Sequence, residues 1–581
     1  MSVLRRFLLL PVVIVTLVLA GLPYPSPTPQ LAAQSTANIP AALTVLNQAS
    51  ADGGAAPQLS APELQAVRDR ILQIRNRMAA QEPQVSNGPS GVPLNAGPQT
   101  VVSGRAVTGA PGLSLATPSL IGPENQLDFG RDSGDPFGSD TTAGGCGGPT
   151  DLAELVAVTN GVLAFAAGNC AHVEKSADGG ISWDANGLPP GPTATPIICC
   201  DHDVIYDDST RVVFHTSLYV SSDLSQSTVG IDVYRYMWSD NFPECTYFLG
   251  PTPGLQDFPH VGLTQNFLYL SMSSISETLQ SAVMLRFPKT ALANCVSPIP
   301  ASGSISWSST IEGQKVWRPS RGTNNKHTMF WAHRIDNSTL RIFKWDDAST
   351  GANNFTRPIA FSSSAAPGTD CAGGSNNTGY ITATNTSLVG FNFVGAVTGD
   401  KLYFYWQAGP AAFPMTQAHI DGAVFGLQGT ADVPFVYTNS PLAQPHIYSS
   451  AYCYGYPEVT SNTRGDLGMV LAFGGANSGG GEPVRPAAGV SDEFTRLGEF
   501  DLFVVPSAND PVTGAANNPA LQDRYGDYSS THPSEPCEKW FVGTGYFFNS
   551  TGAVNQRVFE YGRHKHARCY FDYWDAFGNN G

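Results

Sequence analysis

The chain has 581 residues, with 31 Lys and Arg against 47 Asp and Glu, so its formal net charge is −16 at pH 7. Such an acidic surface repels phosphate backbones and anionic membrane faces, which excludes nucleic acid as a partner. Charged residues make up only 13% of the chain, whereas 60 residues are glycine and 44 are proline. This composition is typical of many short strands joined by turns and predicts an all-β fold.

The first residues have the layout of an export signal, assigned to residues 1–30. Arg5 and Arg6 precede an apolar run from Phe7 to about Leu22, which is the pattern of a signal peptide. The protein is therefore predicted to be secreted. A membrane-anchored form with an uncleaved signal is the alternative, because the run is near the ~18 residues that span a bilayer. Ten cysteines in an exported chain favour disulfides over metal ligation.

Residues 31–144 are rich in Pro, Ala, Ser, Gln and Gly and are predicted to form an extension or linker. Apolar residues at three- and four-residue steps predict one helix over about 62–82 within it. Its stripe consists of Leu64, Val67, Ile71, Ile74 and Met78. A pro-segment and a docking helix are the alternatives to a spacer.

A repeated phrase begins near residue 150, with a polar or aromatic start, a short apolar strand, a turn and a second strand rich in Leu, Phe, Tyr and Trp. Its seven copies begin near residues 150, 200, 257, 317, 388, 456 and 524. Such units bury both faces only by packing radially on their neighbours, so the phrase predicts a single β-propeller over residues 145–581, including a C-terminal tail. Seven blades are predicted, with six as the alternative.

One hairpin motif lies in the first copy. KSADGGISW, from Lys175 to Trp183, fits Ser-x-Asp-x-Gly-x-x-Trp through Ser176, Asp178, Gly180 and Trp183. Ser and Asp side chains accept hydrogen bonds from a tight turn, Gly allows positive φ, and Trp packs beneath the hairpin. The motif resembles the Asp-box of the sialidase-like (BNR) propellers, which implies a turn between two outer strands of a blade, away from any central site.

The starts of the seven copies form the predicted site, because the loops that feed the innermost strands of a propeller converge on one mouth. Ionisable and aromatic side chains are dense there, beginning with Asp201, His202 and Asp203 in the second copy. The predicted ligand contacts are Arg524, Arg318, Trp317, Tyr525, Asp257 and His260. The predicted catalytic residues of an enzyme are Asp527, Tyr528 and Glu458.

These residue types indicate a glycan or another carboxylate-bearing extracellular ligand. Carboxylates near arginines acquire separated pKa values, as glycoside chemistry requires, and a Trp–Arg pair suits an acidic sugar. The phrase from Arg524 to Tyr528, Arg-Tyr-Gly-Asp-Tyr, is similar to one in secreted bacterial BNR-type propellers without assigned activity. The chain lacks the Phe/Tyr-Arg-Ile-Pro signature of true sialidases, so sialidase activity itself is not predicted.

The prediction is therefore a secreted propeller that binds a carbohydrate at the channel mouth. The alternatives are a carbohydrate-active enzyme, either a glycoside hydrolase or a polysaccharide lyase, and a structural exported protein. The binding protein and the enzyme differ in whether two catalytic groups approach within about 5 to 9 Å at the mouth.

Cys537 and Cys569 both lie in the last copy and are predicted to form a disulfide that fastens the closing blade. A bridge over about 30 residues contributes roughly 3 kcal/mol through the entropy of the unfolded chain. No metal site is assigned, since His564 and His566 are interpreted as part of a solvated basic patch. Calcium is the one cofactor considered, because Gly130–Asp140 carries suitably spaced carboxylates without the regular loop pattern.

Overall fold

Short apolar segments separated by Gly- and Pro-rich turns form β-strands, as the composition predicts. The computed structural model describes residues 45–46, 127–132, 155–159, 164–168, 172–176, 183–186, 191–198, 201–235, 243–276, 280–299, 301–308, 312, 316–336, 338–360, 393–411, 415–430, 432–449, 452–474, 485–505, 529–534, 539–548, 554–563 and 566. All of them belong to the unit Ser35–Gly581. Several predicted features lie outside these residues: the export signal, the helix at 62–82, Cys537, Cys569 and the part of the calcium candidate after Asp132. None of the described helices has the length and apolar character needed to cross a bilayer.

The described strands form seven antiparallel sheets, which confirms the seven-bladed β-propeller. Two strands precede the repeated phrases: β1 (Val45–Leu46) and β2 (Leu127–Asp132). Blade 1 comprises β3 (Leu155–Thr159), β4 (Ala164–Gly168), β5 (His172–Ser176) and β6 (Asp184–Asn186). Blade 2 comprises β7 (Ile197–Ile198), β8 (Asp203–Asp207), β9 (Val212–Val220), β10 (Gln226–Arg235) and β11 (Cys245–Pro253), with β1 added at its outer edge.

The next three blades follow in chain order. Blade 3 comprises β12 (Leu255–Leu263), β13 (Phe267–Ile275), β14 (Gln280–Pro288) and β15 (Gly303–Ser308), with the short helix α1 (Lys289–Ala293) between the last two strands. Blade 4 comprises β16 (Thr328–Asp336), β17 (Thr339–Asp346) and β18 (Asn353–Pro358). Blade 5 comprises β19 (Val394–Thr398), β20 (Lys401–Ala408), β21 (His419–Gly429), β22 (Pro434–Val436) and β23 (His446–Ile447).

Two further blades close the ring. Blade 6 comprises β24 (Cys453–Ser461), β25 (Leu467–Gly474), β26 (Arg485–Ser491) and β27 (Asp501–Val504). Blade 7 comprises β28 (Thr531–Ser534), β29 (Trp540–Phe548) and β30 (Val554–Arg563). Each repeated phrase therefore coincides with the inner part of one blade. In blade 4 the inner segment is residues 316–321, which run beside β16 through a Ser320 N–H···O Phe330 hydrogen bond of 2.9 Å and bridge to β19 at Arg321 and Ala396.

The hydrophobic core is divided into layers between neighbouring blades. One aromatic layer, between blades 3 and 4, contains Trp317, Trp331, Trp345 and Phe343, each no more than 1% exposed. A larger aliphatic layer lies between blades 2 and 3. Because strands in a propeller pack face to face with those of the next blade, each blade is apolar on both faces and polar mainly at its edges and along the channel.

The last blade is completed by a strand from the N-terminal side. β2 pairs with β30 as the outermost strand of blade 7, with Leu127 opposite Arg563 and Phe129 opposite Tyr561. This strand lies before the predicted start of the propeller at residue 145. Ring closure in the described structure therefore comes from backbone hydrogen bonding between residues more than 400 positions apart in the sequence.

A disulfide joins blade 2 to the segment after α1. Cys245 and Cys295 are bridged, with a Cα–Cα distance of 5.9 Å and a sequence separation of 50. Cys453 at the start of β24 is also disulfide-bonded. The predicted pairing of Cys537 with Cys569 stays a prediction.

The hairpin motif of blade 1 links its third and outermost strands. Ser176 ends β5, and Trp183 directly precedes β6. The half-buried Trp183 packs against a small apolar cluster shared by blades 1 and 7. Asp178 and Gly180 lie outside the described residues.

Candidate functional site

Three inner strands carry the same backbone feature near their beginnings. A non-glycine residue with left-handed φ occurs in each: Asp201 (61°), Phe258 (57°) and Tyr456 (50°). In β12 and β24 the residue lies in a β-bulge, because the strand register shifts between Asp257 and His260 and between Gly455 and Glu458. The left-handed conformation costs a non-glycine residue about 1–2 kcal/mol. Such residues cluster at functional sites, where the surrounding structure holds the strain.

An ionisable side chain follows each left-handed residue two positions later. These side chains belong to Asp203, His260 and Glu458, which are 2%, 3% and 8% exposed. Each bulge is held by a side chain from the preceding blade. The N–H of Phe258 donates to Asp201 Oδ2 at 3.0 Å, and the N–H of Tyr456 donates to Gln407 Oε1 at 2.9 Å. Bulges re-aim the side chains that follow them, and His260 and Glu458, which follow the two bulges, line the same cleft.

Asp203 is the hub of this site. Its carboxylate accepts hydrogen bonds from the N–H groups of Val204 and Val261, both at 2.8 Å, and from Arg321 Nη2 at 3.0 and 3.1 Å. The Nδ1 atom of His260 faces it at 3.5 Å. Burial by itself raises the pKa of Asp203, but Arg321, His260 and the Val261 amide outweigh burial and hold the pKa well below its ordinary value. Asp203 is therefore an ionised anchor.

Arg321 connects several blades at the site. Besides binding Asp203 of blade 2, its Nη1 donates to the carbonyl of Val261 in blade 3 at 2.5 Å. Its main-chain N–H donates to Gly395 O of blade 5 at 2.8 Å. Arg321 is thus held at its guanidinium and at its main chain, and these contacts come from three different blades.

A second ion pair lies beside the first. Arg318 pairs with Glu458, and its guanidinium carbon lies 5.0 Å from the ring centroid of Phe258. The Phe258 ring meets His260 edge-on at 4.3 Å. Burial, and then Arg318, lower the pKa of His260 to about 3 even though Asp203 opposes the shift. His260 is therefore neutral at pH 7.

These groups line a small open cleft where the inner strands converge. Its walls are formed by His260, Val261, Arg318, Pro319, Arg321, Val394, Gly395, Glu458 and Val459. We call this cleft the channel pocket. It contains two guanidinium groups, a carboxylate and an imidazole, with the Asp203 carboxylate directly behind Arg321.

His532 belongs to the same neighbourhood and was missed by sequence reasoning. It lies on β28, the inner strand of blade 7, and is 5% exposed. Its Nε2 has no hydrogen-bond partner among the described residues. Burial, and then Arg321, lower its pKa to about 3, with Asp203 opposing. The seventh copy of the repeated phrase, which begins near residue 524, leads into this strand. The sequence signal for His532 was therefore an ionisable residue within the innermost strand and not at the start of the copy.

The structure brings some of the predicted residues together and separates others. His260, Arg318 and Glu458 line the channel pocket. Trp317 lies instead in the aromatic layer between blades 3 and 4, 1% exposed, where its Nε1 donates to His333 Nδ1 at 3.0 Å. Asp257 is buried on β12 and is not part of the pocket wall. Four predicted site residues lie outside the described residues: Arg524, Tyr525, Asp527 and Tyr528.

Arg321 was not predicted either. It follows the predicted Trp317–Arg318 pair by only three positions, but its partner Asp203 is 118 residues away. Contacts across blades of this kind depend on ring closure and leave no local pattern in the sequence.

Comparison with known proteins yields similarity of architecture. No family model matches the chain, and no curated protein matches it. Membership of the sialidase-like superfamily therefore stays a prediction.

Solved structures that are similar include the α-L-arabinofuranosidase Arb93A from Fusarium graminearum, with 11% identity, a TM-score of 0.33, and coverage of 71% of this chain and 92% of that one. The polysaccharide lyase Uly1 shares 9% identity, with a TM-score of 0.33 and coverage of 69% and 88%. A protein of unknown function from Dyadobacter fermentans shares 10% identity, with a TM-score of 0.31 and coverage of 71% and 95%. Similarity at this level carries no information on ligand or activity.

Proposed function

We propose that this protein is an extracellular carbohydrate-binding propeller whose ligand binds at the channel pocket. The observation that carries the proposal is the alternation of fixed donors and acceptors around the pocket. Arg318 offers donors beside the acceptor oxygens of Glu458, and Arg321 and His260 line the same pocket. A sugar hydroxyl both donates and accepts a hydrogen bond, so neighbouring hydroxyls match neighbouring donor and acceptor groups.

The charge balance of the pocket supports a hydroxyl-rich ligand over a simple ion. Each arginine is paired with a carboxylate, and His260 is neutral. The pocket is therefore polar without a large net charge. The enclosed space of the pocket is only about 10 Å³, roughly that of one water molecule. Such a pocket receives hydroxyl groups at one edge of a sugar, with the rest of the glycan outside.

An extracellular location is part of the proposal. The N-terminal pattern of residues 1–30 is that of an export signal. The Cys245–Cys295 bridge and the bridged Cys453 suit an oxidising compartment.

A polysaccharide lyase is the second candidate, and the position of His260 beside Arg318 on the pocket wall is the observation that favours it. Lyase chemistry on a uronate passes the proton next to the carboxylate to a base, forms a carbon–carbon double bond, and breaks the bond to the leaving sugar oxygen, which takes up a proton. It needs a base, an acid for the leaving oxygen and a cation near the carboxylate. With Nδ1 of His260 turned to Asp203, its Nε2 is the atom that accepts the proton. A pKa of about 3 makes this imidazole a weak base, which ranks the lyase second. A hydrolase requires a general acid with a raised pKa, and Asp203 does not meet this requirement because its pKa is lowered.

The decisive experiment is a glycan array with the exported protein and two matched variants. Glu458→Gln replaces a pocket acceptor with a group of the same shape, whereas Glu493→Gln changes an exposed glutamate that pairs with Arg464. We expect binding to a defined terminal sugar, a loss of about 10- to 100-fold in Glu458→Gln, corresponding to one charged hydrogen bond, and no change in Glu493→Gln. Equal binding by all three proteins contradicts the proposal.

A parallel assay distinguishes binding from turnover. Uronate-containing polysaccharides are incubated with the wild-type protein and with His260→Gln, and the ultraviolet absorbance of the unsaturated product is followed. Product that depends on His260 supports the lyase, and its absence with retained binding supports the binding protein. Arg524 and Asp527 stay predicted members of the same mouth. Arg524→Gln is expected to weaken a carboxylate ligand by about 1.5–3 kcal/mol, and Asp527→Asn to abolish any turnover.

A further inference from the structure

Blade 5 holds a buried cluster of two histidines and an aspartate that the channel pocket does not use. His419 and Asp421 alternate on β21, so their side chains lie on the same face of the strand. His446 on β23 lies directly opposite Asp421 in the strand register. The three side chains are 0%, 1% and 4% exposed. We call this group the blade 5 cluster.

The donor atoms of the blade 5 cluster converge on one point. His446 Nδ1 lies 2.6 Å from Asp421 Oδ1, and His419 Nε2 lies 3.2 Å from the same oxygen. One donor atom from each residue lies within 4.8 Å of the other two. Four ligands of a tetrahedral zinc ion, at about 2.0–2.2 Å from the metal, lie roughly 3.4 Å apart. The distances within the cluster, from 2.6 Å to at most 4.8 Å, bracket this value.

The orientation of His419 is set from its far side. Its Nδ1 lies 3.0 Å from the carbonyl oxygen of Gln417. A carbonyl only accepts, so Nδ1 carries a proton, and the lone pair of a neutral ring lies on Nε2, toward Asp421. Either a metal ion or a second proton on the ring satisfies both atoms at their distance of 3.2 Å. A histidine that donates its other nitrogen to a backbone carbonyl is the usual arrangement around a bound metal.

Two further groups lie near Asp421. Arg334 of blade 4 interacts with it electrostatically, but the Nε of Arg334 donates to the carbonyl of Asp336. Cys453 lies close by, with Sγ 3.6 Å from Gln417 Oε1, but its sulfur is in a disulfide and is not a ligand. Imidazole nitrogens of both histidines contact the Asp421 carboxylate.

We propose that His419, Asp421 and His446 bind a divalent transition metal, with Zn²⁺ as the best match. Two imidazole nitrogens and one carboxylate oxygen are a common zinc set, and calcium takes oxygen ligands only. Three protein ligands leave the fourth tetrahedral position for water or a ligand atom. The site is separate from the channel pocket and stands independently of the proposed carbohydrate ligand.

The test uses the full-length chain and Zn²⁺ or Co²⁺ as the probe. Metal-free protein is titrated calorimetrically with Zn²⁺, and the Co²⁺ form is recorded by visible absorption, where a tetrahedral site gives intense bands. We expect one Zn²⁺ per chain. His446→Gln and Asp421→Asn should weaken binding by at least about 100-fold, beyond the ~10- to 100-fold that outer contacts contribute. His327→Gln, which alters a different His–Asp pair on the propeller, is the control and should bind as the wild type does.

Several outcomes decide the proposal. Circular dichroism and the urea midpoint first establish that each variant is folded, and Asp421→Asn keeps the shape of the site if His446→Gln does not fold. Loss of stoichiometric Zn²⁺ binding and of the Co²⁺ bands in Asp421→Asn, with both retained in His327→Gln, supports the site. A wild-type protein that binds no Zn²⁺, or one whose affinity is unchanged in Asp421→Asn, overturns it.

Discussion

The channel pocket and the blade 5 cluster both place buried carboxylates beside histidines, but they balance charge in different ways. In the pocket, each buried carboxylate is matched by a guanidinium: Asp203 by Arg321, and Glu458 by Arg318. In the cluster, Asp421 contacts the imidazoles of His419 and His446. Arginine keeps its charge at every physiological pH, whereas an imidazole is positive only with a second proton. The charges of the pocket are therefore permanent, and those of the cluster depend on what is bound.

The largest expected effect comes from removing a permanent charge. Arg321→Met leaves the Asp203 carboxylate buried without its guanidinium, and a broken buried pair costs about 3–5 kcal/mol. Arg464→Met, at an ion pair with Asp466 that is one-third exposed on the arginine side, is expected to cost less than about 1 kcal/mol. Urea unfolding measures both. The double variant Arg321→Met/Asp203→Asn should recover part of the loss, and a fully additive result contradicts the assignment of Asp203 as a fixed anion.

The next effect is stabilisation by Zn²⁺, which should involve the blade 5 cluster and not the channel pocket. Zn²⁺ at about 100 times its dissociation constant should stabilise the wild-type protein by about 2.7 kcal/mol, because it binds only the folded state. The shift in the urea midpoint should disappear in Asp421→Asn and persist in Glu458→Gln. A shift that disappears in both variants places the metal elsewhere.

The pH dependence of stability should come from the neutral histidines of the channel. The pKa values of His260 and His532 are lowered to about 3 in the folded protein, against about 6.5 in an unfolded chain. Below pH 6.5 the unfolded chain therefore binds more protons, and the free energy of unfolding falls as the pH drops. The slope is up to about 1.4 kcal/mol per pH unit for each histidine. Denaturant titrations between about pH 5 and 6.5 should show a smaller slope in His532→Gln. An unchanged slope rules out His532 as a contributor.

The smallest expected effect provides the baseline for the others. Asp400 is 76% exposed on its side chain and pairs with Lys401 at 2.6 Å. Asp400→Asn should change the free energy of unfolding by less than about 0.5 kcal/mol, because exposed pairs are solvated in both states. A loss as large as that of Arg321→Met indicates that burial does not distinguish the two pairs.

Much of the ring was predictable because each blade repeats one local pattern. The apolar inner and second strands, such as LYFYW in β20, produced seven phrases that coincide with the seven blades. His260, Arg318 and Glu458 were predictable for the same reason, since each lies near the beginning of an innermost segment. The closing strand β2 was not, because LDFGRD is short, half polar and far in sequence from its partner β30.

The blade 5 cluster and the Asp203–Arg321 pair were missed for a related reason. His419 and Asp421 form a His-x-Asp pattern that places both on one face of a strand, but His446 joins them only through the pairing of β21 with β23. Trp317 is the opposite case, a residue that the sequence places at the mouth and the structure places elsewhere. It stands next to Arg318 in the sequence, yet adjacent residues on an extended segment point to opposite sides, and Trp317 therefore lies in the interblade core.

The pairing of β2 with β30 has a consequence for the order in which the molecule is made. Leu127 leaves the ribosome long before Arg563, so the first strand of the closing sheet has no partner until synthesis is almost complete. Contacts so distant along the chain form slowly, and an unpaired edge is a template for another chain. Nascent copies are thus exposed to strand exchange with one another throughout elongation, and a chain released before residue 554 lacks the partner strand that closes its ring.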